Sequence, residues 1–359
     1  MSDPAARLGI IRPAVPVDLG AAVLTESWSN DAWLAGESVL RVCWRGDRKR
    51  LLREAMLLGV LPAAVPHAVV VAAGCTEGLT WVVLRRLPGE RLDLVWPRLS
   101  GRERRDAVAG LAGVLKALHR WKPPPVVREQ LRQAPLRAAI TPGDIVGAAI
   151  VPLPISRLLP LLDWLDEQPG MDRDLAGRVR ARLGELRGLV SDSEFDDGVV
   201  VHGDASFSNV LWRQGHLVAL LDLEWARLGP PDLEFATISG DNADIRARGL
   251  SRAVSASELP LLTWLRAGYP ELFDQEHLTE RVWLYDICFR IRQLCASGGL
   301  DPRWCDSPNG TRSAPPRSGV RADAQLKTWH ILRKLRCCSR KARQLAKAIH
   351  LLQTREIEG

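Results

Sequence analysis

The residues with chemical potential fall in one stretch, His202-Gly203-Asp204-Ala205-Ser206-Phe207-Ser208-Asn209-Val210-Leu211-Trp212, followed by Leu220-Leu221-Asp222-Leu223-Glu224-Trp225. An apolar run, Val199-Val200-Val201, leads into a His-Gly-Asp turn. Asn209 follows Asp204 by five residues, and Asp222 follows Asn209 by thirteen. Two carboxylates and a carboxamide on loops at strand ends are hard oxygen donors. They suit Mg²⁺, which keeps several waters and takes one or two carboxylates plus phosphate oxygens. Phosphoryl transfer asks for such a set: a carboxylate to accept a hydroxyl proton, an Asn and an Asp to hold metal, and a basic residue on the phosphates. The pattern therefore casts Asp204 as the base and Asn209 and Asp222 as metal ligands. Glu224 reads either as a further carboxylate for the metal or as a salt-bridged residue.

The elements that must position these groups divide the chain in two. Ala32 to Ala35 and Ser38 to Trp44 alternate as strands around a hairpin at Gly36-Glu37, and Asp47 to Leu58 reads as a helix ended by Gly59 and Pro62. Val69 to Ala72 and Leu79 to Leu84 are two further strands, with the turn between Gly74 and Gly78, and Arg85 to Gly89 is a connector. After it the pattern is helical. Arg102 to Trp121 carries Leu111, Leu115 and Leu118 on one face and stops at Pro123-Pro124-Pro125; 155–168, 172–190, 260–266 and 278–295 are further helices. His119, at the end of the first of these helices, reads as structural. The expected fold class is α+β and two-lobed. A β-rich lobe with one helix spans 1–87, a mainly helical lobe 88–300, and a linker with a basic helix 301–359.

The motif resembles the signature of the aminoglycoside phosphotransferase family, whose fold is shared with choline kinases and protein kinases. HGDASFSNVLW and LLDLEWARLGPPDLEFA carry the resemblance. ESWSNDAWLAGESVLRV, RLLREAMLLGVLP, WVVLRRLPGERL and LAGVLKALHRW agree with it in order, over roughly residues 20–300. The resemblance implies a small-molecule kinase using ATP or GTP and Mg²⁺ on a hydroxyl acceptor, with Asp204 as catalytic base and Asn209 and Asp222 on the metal. His202 would brace the catalytic loop. Arg41 would contact the nucleotide and pair with Glu54, Ser27 to Asn30 would cover the phosphates, and the backbone around Arg85 and Leu87 would hold the adenine. Three departures stand out. Ser27-Trp28-Ser29-Asn30 has no glycine, Arg41 replaces a frequent Lys, and Gly229-Pro230-Pro231 with Glu234 replaces Gly-Asp-Pro and a later Asp. A nucleotide-binding pseudokinase acting as a regulatory or binding module is the alternative reading.

Composition narrows the partners. The chain has 359 residues and a formal net charge of +7. Residues 301–359 hold 13 Lys/Arg and 5 Asp/Glu, leaving 36 basic and 37 acidic residues in 1–300. The body therefore carries no nucleic-acid footprint, and the basic helix near 322–353 is what could contact an anionic partner. The neutral body also lacks the negative field a polycationic aminoglycoside would favour, which keeps a macrolide, a peptide antibiotic or a metabolite alcohol open as acceptor. Asp241, Asp244, Glu271, Asp274 and Asp286 are candidates for attracting a cationic acceptor. No run of about 18 uncharged apolar residues suggests a membrane span, and the N-terminus lacks a secretory pattern. Seven cysteines without ligand spacing fit reduced thiols, so a cytoplasmic location is expected.

Overall fold

Asp3 starts the first helix by accepting from the Ala5 and Ala6 N–H groups, with Pro4 at the first helical position. The computed structural model describes residues 3–25, 27, 30–44, 47–133, 155–167, 173–238 and 261–296. Helix α1 (Pro4–Ile11), which the sequence pattern did not reveal, lays Leu8 and Ile11 in an apolar cluster with Trp33, Leu40, Val42, Trp81 and Val83. Those residues belong to a five-stranded antiparallel sheet of β1 (Val23–Thr25), β2 (Asp31–Ala35), β3 (Ser38–Cys43), β4 (Val70–Thr76) and β5 (Leu79–Arg85), in the order β1-β2-β3-β5-β4. Arg7 joins the cluster because its charge is neutralised there. It donates to Asp31 at 2.6 and 2.8 Å, and its guanidinium lies 4.2 Å from the centre of the Trp44 ring.

The β2–β3 hairpin turns at Gly36-Glu37 as expected. The next hairpin turns later than expected, at Glu77-Gly78, where both residues have positive φ, and β4 runs through Gly74 to Thr76. Gly74 is a close approach rather than a turn. A Cβ there would lie 2.5 Å from Cζ2 of Trp81, its partner on β5.

Helix α2 (Arg50–Leu58) buries Arg50, Leu51, Glu54, Leu57 and Leu58, which fall at i, i+1, i+4, i+7 and i+8. Its apolar face enters a core shared between the sheet and the helical part, reaching from Leu51, Leu57 and Val82 to Leu111, Leu115, Leu118, Val210 and Leu220. Beyond β6 (Glu90–Arg91) and α3 (Leu92–Val95), the long helix α4 (Gly101–Arg120) opens with a reciprocal cap between Ser100 and Glu103. The three prolines do end it, but Pro125 also begins α5 (Pro125–Gln133).

Helices α6 (Ile155–Asp166) and α7 (Arg173–Leu186) lead to α8 (Glu194–Asp197). The region expected to hold two strands contains four: β7 (Val199–Val201), β8 (Val210–Arg213), β9 (His216–Leu220) and β10 (Arg227–Gly229). β7 pairs with β10, while β8 lies between β6 and β9. Helices α9 (Leu261–Gly268) and α10 (Leu278–Ala296) close the described region, and a further apolar cluster joins α6, α7 and α10 through Leu158, Leu161, Leu183, Leu284 and Cys288. Among the described residues no helix is long and apolar enough to cross a membrane. Cys43 and Cys288 are buried and Cys75 is exposed, all as free thiols. Asp241, Asp244 and the basic segment 301–359 lie outside the described residues.

β7 reaches the motif through a tight junction at Gly198. A Cβ there would meet the Glu194 carbonyl oxygen at 2.1 Å and the Gly229 carbonyl oxygen at 2.4 Å. Gly198→Ala should destabilise the protein by about 1–3 kcal/mol, the usual cost of forcing atoms into a filled site. Urea unfolding checks this; an unchanged midpoint would mean that α8 and β10 do not meet there.

Candidate active site

The motif residues are held by backbone hydrogen bonds before any substrate is involved. His202, fully buried after β7, accepts the Asp204 N–H on Nδ1 at 3.1 Å. With that nitrogen an acceptor, Nε2 carries the proton and donates to the Leu221 carbonyl at 2.8 Å. The ring thus ties the His-Gly-Asp loop to the end of β9. Burial, partly offset by the nearby Glu234 charge, holds the imidazole below its ordinary pKa, which suits this neutral donor-and-acceptor role. Gly203 has φ +79°, and a Cβ on it would lie 2.7 Å from the Trp225 carbonyl oxygen, so the turn has no room for a side chain.

Glu234 braces the same turn from below. Its carboxylate accepts the His202 N–H at 2.5 Å and the Gly203 N–H at 3.3 Å. His119 Nε2 lies 3.5 Å from Glu234, and His119 Nδ1 is hydrogen-bonded to the Tyr269 hydroxyl at 3.1 Å, which makes His119 the structural residue expected. Burial pushes the Glu234 carboxyl up, but the His119 bond and the contacts with His202 outweigh it and hold the group below its ordinary value. Glu234 therefore does the bracing. Asp232 works elsewhere: fully buried, it accepts from Arg281 at 2.8 and 3.0 Å and from the Tyr285 hydroxyl at 2.8 Å, anchoring α10.

Asn209 sits against Asp204. Its amide nitrogen donates to the Asp204 carbonyl at 2.9 Å and to Asp204 Oδ2 at 3.1 Å, so Oδ1 is the end of the carboxamide able to accept or ligate. Asp222 follows β9 in a left-handed backbone conformation, φ +62°, uncommon for a residue with a side chain. Glu54, Asp222 and Glu224 each offer an oxygen, all within 4.8 Å of one another.

Such a carboxylate group needs cations, and Arg41 and Arg50 supply them by direct contact. Arg41 on β3 donates to Glu54 at 2.5 Å, to Glu224 at 3.0 Å and to Asp222 Oδ1. Arg50 donates to Glu224 at 3.1 Å and to Asn30 Oδ1 at 2.7 Å, while Asn30 donates to Glu224 at 2.6 Å. Glu54 also accepts the Leu223 N–H at 3.0 Å. Burial pushes the Glu54 carboxyl up to about 7 against the pull of Arg41, and it raises Asp222 in the same way. Burial opposes the charge on Arg41, yet Asp222, Glu54 and Glu224 together lift its pKa above the ordinary value.

The structure thus joins Arg41, Glu54 and Asp222 in one ion-pair network and Asp204, His202 and Asn209 in one loop. It places other expected residues differently. Asn30, expected over the phosphates, turns its side chain inward to Glu224 and Arg50, while Ser27 is exposed. The Arg85 N–H donates to the Val69 carbonyl and the Arg86 N–H to Glu37, and half-buried Leu87 packs on the shared core. Trp28 and Ser29 lie outside the described residues. Sequence reasoning missed Arg50. Its signal was a basic residue one turn before Glu54 on the buried face of the same helix.

Residues 21–269 match the model of the phosphotransferase enzyme family. The chain belongs to that family. Solved structures similar to it include the GDP complex of wild-type aminoglycoside 2'-phosphotransferase-IIIa, at 18% identity over 84% of this chain and 95% of that one, with a TM-score of 0.54. Another is aminoglycoside phosphotransferase APH(3'')-Id from Streptomyces rimosus, at 17% identity over 80% of this chain and 99% of that one, with a TM-score of 0.50. At such identities the likeness is one of fold, and it agrees with the α+β kinase-like architecture. No curated protein sequence matches the chain.

The phosphotransferase brace at Glu234 carries a pH signature. A carboxyl lowered in the folded state contributes stability that is complete above its unfolded pKa and is lost as pH falls through the folded value. Glu234→Gln leaves one buried N–H facing a donor, so it should cost about 1–3 kcal/mol at neutral pH. The stability gap between wild type and variant, measured by denaturant unfolding, should narrow on acidification below the ordinary carboxylate range. A gap independent of pH would show that the charge of Glu234 is not what braces the loop.

Proposed function

We propose that the protein is a kinase that moves the γ-phosphoryl group of ATP or GTP to the hydroxyl of a small molecule. The observation that carries this reading is the Asp204–Asn209 pair, set on a loop braced by His202 and Glu234 and hydrogen-bonded to Leu221, the neighbour of Asp222 in the Arg41–Glu54–Asp222 network. In the proposed step the acceptor oxygen attacks the γ-phosphorus and its proton passes to Asp204. The bond from the γ-phosphorus to the bridging oxygen breaks, and the electron pair leaves with the nucleoside diphosphate. The donor chemistry fits Mg²⁺, since Asn209 Oδ1 and the Asp222 carboxylate are hard oxygen ligands. Bound there, the ion would neutralise charge on the β- and γ-phosphate oxygens.

Arg41 holds the sheet against the metal-binding carboxylate, so that nucleotide and catalytic loop share one frame. At the connector, the Arg85 carbonyl and the Leu87 N–H are the proposed adenine contacts, because the Arg85 N–H is already donated to Val69. A hydroxylated antibiotic and a metabolite alcohol are both within this reading.

One observation favours the binding-module reading. Arg41 donates to Asp222 itself, so a protein cation already satisfies an oxygen assigned to the metal. Turnover separates the two. Wild type should phosphorylate an alcohol in a panel of hydroxylated antibiotics and metabolite alcohols, with a nucleoside diphosphate as co-product. Asp204→Ala should lower kcat by about 10²–10⁴, the usual worth of a positioned base. Magnesium-dependent stabilisation by ATP without turnover of any acceptor would instead establish the binding module. Equal turnover in wild type and Asp204→Ala would remove Asp204 as the base.

A further inference from the structure

Helix α10 ends beside the catalytic loop and brings a cation with it. Arg281, Tyr285, Cys288 and Arg292 recur every three or four residues and so share one helical stripe. The start of that stripe is anchored: Arg281 and Tyr285 both bind Asp232, two residues before the brace Glu234. The stripe then runs eleven residues, about 16 Å at the usual rise, and ends at Arg292. There the guanidinium lies 5.9 Å from the centre of the Trp225 ring, while that of Arg50 lies 5.5 Å from the same ring. Trp225 stands directly behind the catalytic turn, because its carbonyl oxygen fills the space a Cβ on Gly203 would need. Arg292 therefore flanks the loop that carries Asp204.

Three guanidinium groups act on the carboxylates gathered here. Arg41 is shared among Glu54, Asp222 and Glu224, and Arg50 is fully buried on Glu224 and Asn30. Arg292 is only half-buried, and the charges that act on it are Asp204, Arg50 and Glu224. Burial lowers its pKa to about 10, with Asp204 opposing that fall, so it stays cationic at neutral pH. An acceptor whose hydroxyl meets Asp204 lies in the field of this guanidinium, since the Asp204 charge acts on Arg292. A carboxylate or phosphate there would match the planar fork, whereas an ammonium group would meet a like charge. Glu271, expected to draw a cationic acceptor, is instead occupied by Lys116 at 2.9 Å and Arg120 at 2.8 Å.

We propose that Arg292 makes the site select an anionic acceptor, an alcohol carrying a carboxylate or phosphate beside the hydroxyl presented to Asp204; this rests on the kinase reading above. The test measures binding of four small alcohols to the full chain, with ADP and magnesium present at saturating concentration so that phosphate probes do not enter the nucleotide site. The probes are glycerate, glycerol 3-phosphate, uncharged glycerol and cationic choline, read by calorimetry.

Wild type should bind at least one anionic probe ten-fold or more tighter than glycerol, and choline no better than glycerol. Whichever of glycerate and glycerol 3-phosphate binds tighter names the anionic group. Arg292→Gln should lose the preference, and Arg292→Lys should keep part of it, which separates charge from folding. The proposal is overturned by no anion preference in wild type, by choline binding as tightly as the anions, or by a preference that survives in Arg292→Gln. ADP and magnesium binding, measured separately on each protein, keeps the kinase reading distinct: its absence in wild type defeats that reading, whatever the four alcohols do.

Discussion

The structure depends on one electrostatic constraint: three carboxylates, Glu54, Asp222 and Glu224, meet within 4.8 Å in a largely buried setting. Unpaired charges would be prohibitive there, since removing an ion from water costs several kcal/mol even after relaxation. Arg41 and Arg50 meet the demand, and their positions make the network a joint. Arg41 comes from β3 and Arg50 and Glu54 from α2, whereas Asp222 and Glu224 follow β9. The sheet that would hold nucleotide and the loop that would hold metal are thereby fastened at the site itself. The shared apolar core holds the same two parts together farther out, without specifying direction. The ion pairs supply that direction.

A second frame supports the His-Gly-Asp turn. His202 links the catalytic turn to Leu221, Glu234 accepts two of its backbone N–H groups, and His119 and Tyr269 support Glu234 from α4 and the segment after α9. Residues distant in sequence thus converge on one tight turn, where Gly203 leaves space for the Trp225 carbonyl. Asp232 anchors α10 from the same short segment that provides Glu234. The geometry around Asp204 is consequently set by buried polar contacts on several sides.

Much of this was legible in the chain. The apolar runs before His202 and Asp222, the spacing of Asp204 and Asn209, and the thirteen residues between Arg41 and Glu54 all found structural counterparts. The less legible parts share a reason: they involve short segments or long-range partners. β10 has only three residues and exists by pairing with β7, while α1 is eight residues long and acquires its apolar face against the sheet. Asn30 carried a local loop signal, but Glu224, 194 residues away, determines where its side chain goes. Gly74 suggested a turn because a glycine does not disclose whether it supplies backbone freedom or space for a neighbour such as Trp81.

The sequence alone determined the α+β class, the longer helices and strands, and the spacing of Asp204, Asn209 and Asp222, since periodicity and residue type are local properties. The tertiary structure decided which carboxylates share a guanidinium, that Glu234 rather than Asp232 braces the His-Gly-Asp turn, and that a cation from the last described helix packs on Trp225 behind that turn. Those outcomes depend on burial and on contacts between residues far apart in the chain. Charge becomes costly only where water is excluded, and the linear sequence does not state where that is.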